Sequence, residues 1–275
     1  MGNANVEIGT KVRAGGIDTN LHDAGSGQPV VLLHGSGPGV TAWANWRTIL
    51  PELSKTRRVV APDLVGFGFT ERPAGISYGL QTWADHVTGV LDALELDRVD
   101  LIGNSLGGAV ALALAIKFPE RVRRLVLMGS GGPKGRITEG LEAVWGYEPS
   151  VANMRVVLDY LSYDRSRVTD DLAKLRYEAS IRPGHQESFG AMFPSPRQQR
   201  LDELSIPDHD LQSIQHETLL LHGREDRVVP VETSIRLNQL LKSSQLHVFG
   251  KCGHWVQIEQ TRGFISQVQD FLSAE

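Results

Sequence analysis

The sequence holds a single cysteine, Cys252, among 275 residues. One thiol excludes an internal disulfide and any site built from several cysteines, which fits a reducing compartment, so a cytoplasmic location is expected. A long apolar run is also missing. The longest, around Ala109 to Ile116, is too short to cross a bilayer, and no membrane partner is expected. Neither sign of charge dominates: 28 Lys and Arg stand against 32 Asp and Glu, a formal net charge of −4, and no basic block offers a surface to nucleic acid. An anionic small molecule would have to be met by local arginines. The first eight residues lack a basic start and an apolar core, so no leader is expected, and Val6 stands where acylation of Gly2 would want Ser or Thr. Repeats, low-complexity stretches and linkers are absent too.

What the chain does have is glycine at the ends of apolar runs. Of its 29 glycines, three surround Ser105 in Val99-Asp-Leu-Ile-Gly-Asn-Ser105-Leu-Gly-Gly-Ala-Val-Ala, where a strand pattern meets a helix pattern. Gly103, Gly107 and Gly108 remove the side chains that would block a sharp strand-to-helix turn. A serine held there lifts its hydroxyl beyond the C-terminal edge of a sheet, beside the partial positive charge of a helix N-terminus. Gly-x-Ser-x-Gly alone arises by chance roughly 0.2 times in a chain of this composition, so the flanking strand and helix must carry the reading. The bland alternative is a helix N-cap serine.

Other elements alternate in the same way. Val30 to Leu33 reads as a buried strand running into the loop His34-Gly-Ser-Gly-Pro-Gly39. A helix is expected from Ala44 to Ser54, a strand from Arg58 to Ala61, a glycine turn at Pro62 to Gly68 and a helix over Gln81 to Leu94. Later strands are Val122 to Met128, Glu217 to Gly223 and Leu246 to Phe249; Val231 to Leu241 and Gln260 to Leu272 are helical. The alternation predicts an α/β fold, a mostly parallel doubly wound sheet with right-handed crossovers and ligands beyond its strand C-termini. Between 133 and 207 strands give way to helical stretches rich in aromatic residues and methionine. The domain reading is therefore a core of 1–132 and 208–275 with 133–207 inserted as a helical lid. Its aromatics are shared between the lid's own core and the lining of a pocket.

A serine hydroxyl is a poor nucleophile near neutrality; it needs a base, and the base needs an orienting acid. His254 and Asp226 each follow a predicted strand, so both project onto the edge that carries Ser105. Among rivals, His222 precedes the turn that offers Asp226, His34 opens a loop it can brace, and Glu225 and Asp63 compete for the acid's role. Attack creates an oxyanion that needs positioned donors, and the backbone N–H groups of Leu106 and Ser36 are the candidates. Neither a metal nor a cofactor is expected.

With this order of Ser, Asp and His, the chain resembles the α/β-hydrolases, and more narrowly the meta-cleavage product hydrolases of bacterial aromatic catabolism, which cleave a carbon–carbon bond. The resemblance spans nearly the whole length. It rests on His34-Gly-Ser-Gly-Pro-Gly with Trp43-Ala-Asn45-Trp, on Pro62-Asp-Leu-Val-Gly-Phe-Gly, on Gly103-Asn-Ser105-Leu-Gly-Gly, on Leu175-Arg176-Tyr-Glu-Ala-Ser, on Gly223-Arg-Glu-Asp226-Arg-Val-Val-Pro and on Gly250-Lys-Cys-Gly-His254-Trp255. It implies that Asn45, Asn104, Arg176 and Trp255 hold the carboxylate end of a dienoate; without it, Arg176 is one of several lid arginines, beside Arg165, Arg167 and Arg182. Val144-Trp-Gly-Tyr and Arg176-Tyr-Glu-Ala-Ser-Ile look most like the 2-hydroxymuconate semialdehyde hydrolases. The implied chemistry is ketonisation of the dienol with protonation at C5, His254 carrying the proton. Engagement of the C6 carbonyl by Ser105, directly or through water, then gives cleavage to 2-hydroxypenta-2,4-dienoate and an acid. A generic carboxylesterase would keep the same trio of residues, and a non-catalytic ligand-binding homologue would keep the fold. A homodimer is the expected assembly.

Overall fold

The computed structural model describes residues 5–273; the reading of Gly2 lies outside them. A hairpin of β1 (Thr10–Ala14) and β2 (Ile17–Ala24) leads into β3 (Pro29–Leu33), α1 (Ala42–Trp46), α2 (Leu50–Leu53), β4 (Arg58–Pro62) and α3 (Leu80–Ala93). Next come β5 (Val99–Asn104), α4 (Leu106–Lys117) and β6 (Val122–Met128). The helices α5 (Glu139–Trp145), α6 (Val151–Leu161), α7 (Asp170–Ser180), α8 (His185–Met192), α9 (Arg197–Glu203) and α10 (Asp208–Ser213) then intervene before β7 (Thr218–Gly223). The order closes with α11 (Val231–Leu240), β8 (Ser244–Phe249), α12 (Val256–Glu259) and α13 (Thr261–Ser273).

The described residues form an eight-stranded sheet in the order β1-β2-β4-β3-β5-β6-β7-β8. β1 with β2 and β2 with β4 pair antiparallel, and every pairing from β4 to β8 is parallel. Its central strands are apolar throughout because both faces are covered. On one face Trp83, Val87 and Val110 pack against Val31 and Leu101; on the other, Trp46, Phe264 and Val268 pack against Leu32 and Ile102. Parallel strands send all their C-terminal ends to one edge, so the loops opening at His34, Ser105, Gly129, Arg224 and Gly250 converge there.

One local expectation needs correction, and two elements had no expectation. The helix expected over Ala44 to Ser54 is two short ones: Thr41 caps the first through its Oγ1, 3.0 Å from the Ala44 amide, and Pro51, in the first turn of α2, has no N–H to continue the first. The hairpin β1–β2 carried no strand expectation, since its residues are mostly polar and half exposed. A four-residue helix, α12, stands between the His254 loop and the closing helix.

Candidate active site

Ser105 occupies the tight turn between β5 and α4 with φ 54° and ψ −115°, a left-handed conformation costly for a residue with a Cβ. The turn is held by its surroundings. A Cβ on Gly103 would meet the Gly107 carbonyl oxygen at 2.5 Å, one on Gly107 the Leu33 oxygen at 2.2 Å, and one on Gly108 the Ser130 Oγ at 2.2 Å. The Ser105 amide donates to the Met128 carbonyl at 2.9 Å, pinning the turn to β6.

His254 follows β8 and is 4% exposed, its amide donating 3.0 Å to the Leu161 carbonyl of α6. Its Nδ1 lies 2.6 Å from Asp226 Oδ2. A proton on Nδ1, donated to that carboxylate, leaves Nε2 free to take another. The other Asp226 oxygen accepts the amides of Val228 at 2.8 Å and Val229 at 2.9 Å. Burial alone would raise this carboxyl, but the His254 and His222 rings outweigh it and hold the group well below the usual carboxylate range. Asp226 therefore stays ionised wherever His254 can work. Gly129 ends β6 close by: a Cβ there would sit 3.1 Å from His254 Nδ1 and 3.3 Å from Asp226 Oδ2.

The rival residues are occupied elsewhere. Asp63 accepts the Ala42 and Phe69 amides and the Asn20 side chain. Glu225 accepts the Cys252 amide at 3.0 Å. His222 bonds the Ser234 hydroxyl at 2.6 Å and the Val229 carbonyl at 2.9 Å, so it backs Asp226 from behind. His34 bridges its loop to the Pro62 turn, its Nε2 accepting the Leu64 amide at 3.0 Å.

A cavity of about 260 Å³ lies between the sheet edge and the inserted helices. Ser105 and His254 share its wall with Asn45, Asn104, Arg176 and Trp255, and with α6 side chains such as Met154 and Leu158. A smaller pocket of about 70 Å³ meets it at Ser36 and Ser105 and is lined by Leu106, Leu141, Trp145 and Val228. Asn45 Oδ1 accepts the Gly35 amide at 3.3 Å, which leaves its buried Nδ2 without a protein partner. Asn104 Nδ2 donates 3.2 Å to the Met128 carbonyl. Arg176 reaches the Pro38 carbonyl at 3.5 Å; burial lowers its guanidinium to about 10, which still leaves it charged near neutrality. Of the rival arginines, Arg165 pairs with Asp159 and Arg182 with Glu7, while Arg167 pairs with Asp164 and lines the same cavity as Arg176. Among the described residues, neither the Ser36 nor the Leu106 amide donates to a backbone carbonyl. The arrangement can activate a hydroxyl, receive an oxyanion and hold a carboxylate some distance away.

Two neighbours had no role assigned from the sequence. Trp145 Nε1 donates 2.9 Å to Ser36 Oγ, and the motif Val144-Trp-Gly-Tyr was its visible signal. Gln257 is fully buried against the main cavity, and nothing in the sequence singles it out. Among the aromatics and methionines of 133–207, Met154, Trp145, Phe189, Met192 and Phe193 all belong to the packed core, and of these Met154 and Trp145 also line the two spaces.

The α/β hydrolase fold family matches residues 28–261. The chain is 69% identical, over the full length of both, to the 2-hydroxy-6-oxo-2,4-heptadienoate hydrolase of Pseudomonas putida F1. It is 59% identical to a 2-hydroxymuconate semialdehyde hydrolase of Pseudomonas sp. CF600, over 97% of this chain and 94% of that one. Among solved structures, a variant of the meta-cleavage product hydrolase of Pseudomonas fluorescens IP01 superposes with a TM-score of 0.96 at 56% identity, covering 98% of each chain.

Proposed function

Because the chain belongs to the meta-cleavage product hydrolases of the α/β-hydrolase family, we propose the following assignment of its chemistry to residues. The enzyme hydrolyses the C5–C6 bond of 2-hydroxy-6-oxohexa-2,4-dienoate-type ring-fission products, yielding 2-hydroxypenta-2,4-dienoate and a carboxylic acid. Arg176, Asn45, Asn104 and Trp255 receive the carboxylate end in the larger cavity, where a guanidinium fork and amide donors match a planar anion. His254 delivers a proton to C5, converting the dienol to a keto form whose enone can accept the bonding pair of C5–C6. Ser105 adds to the C6 carbonyl while His254 takes its proton, and the N–H groups of Ser36 and Leu106 hold the oxyanion. Collapse releases the dienol, and water completes the acid. Asp226 keeps the His254 ring oriented throughout.

The smaller pocket takes the C6 substituent. At about 70 Å³ it is under half the roughly 150 Å³ of an apolar cavity known to admit benzene, which favours hydrogen or methyl over phenyl. The helices of 133–207 act as the lid that closes both spaces. No helix among the described residues is long and apolar enough to cross a membrane, and we assign the enzyme to the cytoplasm as a homodimer.

The observation that carries this reading is the single cavity in which Ser105 and His254 face Arg176 and Asn45. The test is decay of the yellow absorbance of 2-hydroxymuconate semialdehyde and its 6-methyl and 6-phenyl analogues, on wild type and on Ser105→Ala. Fast, serine-dependent decay of the first two, with the phenyl compound slow, is expected. A protein that leaves all three intact yet hydrolyses a small neutral ester would instead be a carboxylesterase.

A further inference from the structure

Gln257 occupies α12, two residues beyond Trp255, and its side chain is fully buried while lining the cavity that holds Arg176 and Asn45. Its Nε2 donates to the Asn45 carbonyl at 3.3 Å. Its Oε1 is buried with no hydrogen-bond partner in the protein. A buried amide oxygen left unpaired costs about 1–3 kcal/mol, and such an atom beside a ligand cavity calls for a donor on the ligand. The helix is not free to turn it away, because the Gln257 backbone carbonyl is held by Thr48 Oγ1 at 3.3 Å and Thr261 Oγ1 at 2.8 Å.

Arg176 and the free Nδ2 of Asn45, which line the same cavity, are donors suited to a carboxylate. The Gln257 Oε1 is an acceptor and has no use for a carboxylate oxygen. The dienol substrate assigned above carries one conventional donor, the hydroxyl at C2, and that hydroxyl is adjacent to the carboxylate carbon. We propose that Gln257 Oε1 accepts the C2 hydroxyl of the substrate and of the dienol product, making Gln257 a substrate-binding residue that selects 2-hydroxylated dienoates. The proposal rests on the functional reading above. It also implies that the contact is lost when the substrate ketonises, since the keto form has no proton at O2; Gln257 favours the enol states at both ends of the reaction.

The experiment measures competitive inhibition by fresh 2-hydroxypenta-2,4-dienoate and by penta-2,4-dienoate, which lacks the hydroxyl, against turnover of the 6-methyl ring-fission product. In wild type the hydroxylated compound should bind about tenfold more tightly, the worth of one good neutral hydrogen bond in a closed site. Gln257→Met, similar in length and without the acceptor, should reduce that ratio to about one. Gln257→Glu keeps an acceptor at the same reach, so it should weaken both compounds through repulsion of their carboxylates yet retain the ratio. Should the Met variant fail to fold, Gln257→Asn asks the same question with the acceptor drawn back by one methylene. A wild-type ratio that persists in the Met or Asn variant overturns the proposal, as does a wild-type ratio of one. Wild type that binds neither compound and turns over no ring-fission product brings down the functional reading itself, and the proposal with it.

Discussion

At the scale of single residues, the site depends on groups whose chemistry has no close substitute. Arg176 is the cation proposed above for the substrate's carboxylate, and it reaches the Pro38 carbonyl at 3.5 Å in surroundings that lower its guanidinium to about 10. Lysine would keep the charge but lose the planar fork, so Arg176→Lys should lower kcat/KM for the dienoate by about 10- to 100-fold, corresponding to roughly 1.4–2.7 kcal/mol of lost binding to the reacting species. Steady-state rates on a neutral ester are the comparison; an equal loss on both substrates would mean a disturbed fold and no carboxylate contact. Gly107 makes a different demand. Its absent side chain lets α4 approach β3, where a Cβ would stand 2.2 Å from the Leu33 carbonyl oxygen. Gly107→Ala should destabilise the protein by at least about 2 kcal/mol, because backbone and not a flexible side chain would have to move. A denaturant midpoint equal to wild type would show that the turn has slack the geometry does not suggest.

At the scale of elements, the loop after β3 is tied to the helices between β6 and β7 by Trp145 as well as by Arg176. Trp145 at the end of α5 donates to Ser36 Oγ at 2.9 Å, and its ring stacks on Phe193 at 4.6 Å between centroids, so α5, the segment after α8 and the loop after β3 form one unit. Trp145→Phe keeps most of the stacking and removes the donor. It should lower kcat several-fold with little change in KM, since the loop would lose an anchor beside the Ser36 amide proposed above for the oxyanion; a rise in KM alone would place Trp145 in ground-state binding instead. This coupling joins positions 109 residues apart, which is why only its ends were visible in the sequence. The strands β3, β5, β6 and β7 could be read directly, because burial on both faces leaves continuous apolar runs, and the turn at Ser105 could be read because close packing demands its glycines. The hairpin β1–β2 could not, since its mostly polar residues give no such run. Asp226 and His254 were legible from their places after strands. Gln257 was not: its significance comes from Asn45, brought against it across 212 residues of chain by the fold.

At the scale of the whole molecule, the turn after β4 ties β2, β3 and α3 together through buried groups that must stay in one protonation state. His34 Nε2 accepts the Leu64 amide at 3.0 Å, and His86 Nδ1 accepts the Val65 amide at 3.2 Å while its other nitrogen meets Thr19 Oγ1 at 2.8 Å. Both rings accept from amides only when neutral at those nitrogens, and burial lowers each from 6.5 to about 4. In the unfolded chain each would bind a proton between pH 6.5 and 4 that the folded protein refuses, so stability is fully present above pH 6.5 and falls as pH drops toward 4, by about 3 kcal/mol per ring. Asp63 acts in the opposite direction. Burial raises its carboxyl from 3.8 to about 6, so the folded state binds a proton there first and recovers about 3 kcal/mol over much of the same range. Two rings against one carboxyl leave a net loss of about 3 kcal/mol on acidification, a large fraction of the roughly 5–15 kcal/mol that holds a typical domain folded. His185, lowered to about 4 by burial and by the charge of Arg72, adds to the loss. Urea midpoints measured from pH 7 to pH 4 should therefore fall steadily below pH 6.5. In His86→Gln, which can still accept the Val65 amide but cannot titrate, the decline should be shallower by one ring's share. A variant whose midpoint tracks wild type at every pH would show that His86 titrates alike in the folded and unfolded chain, and that the acid sensitivity of this fold resides elsewhere.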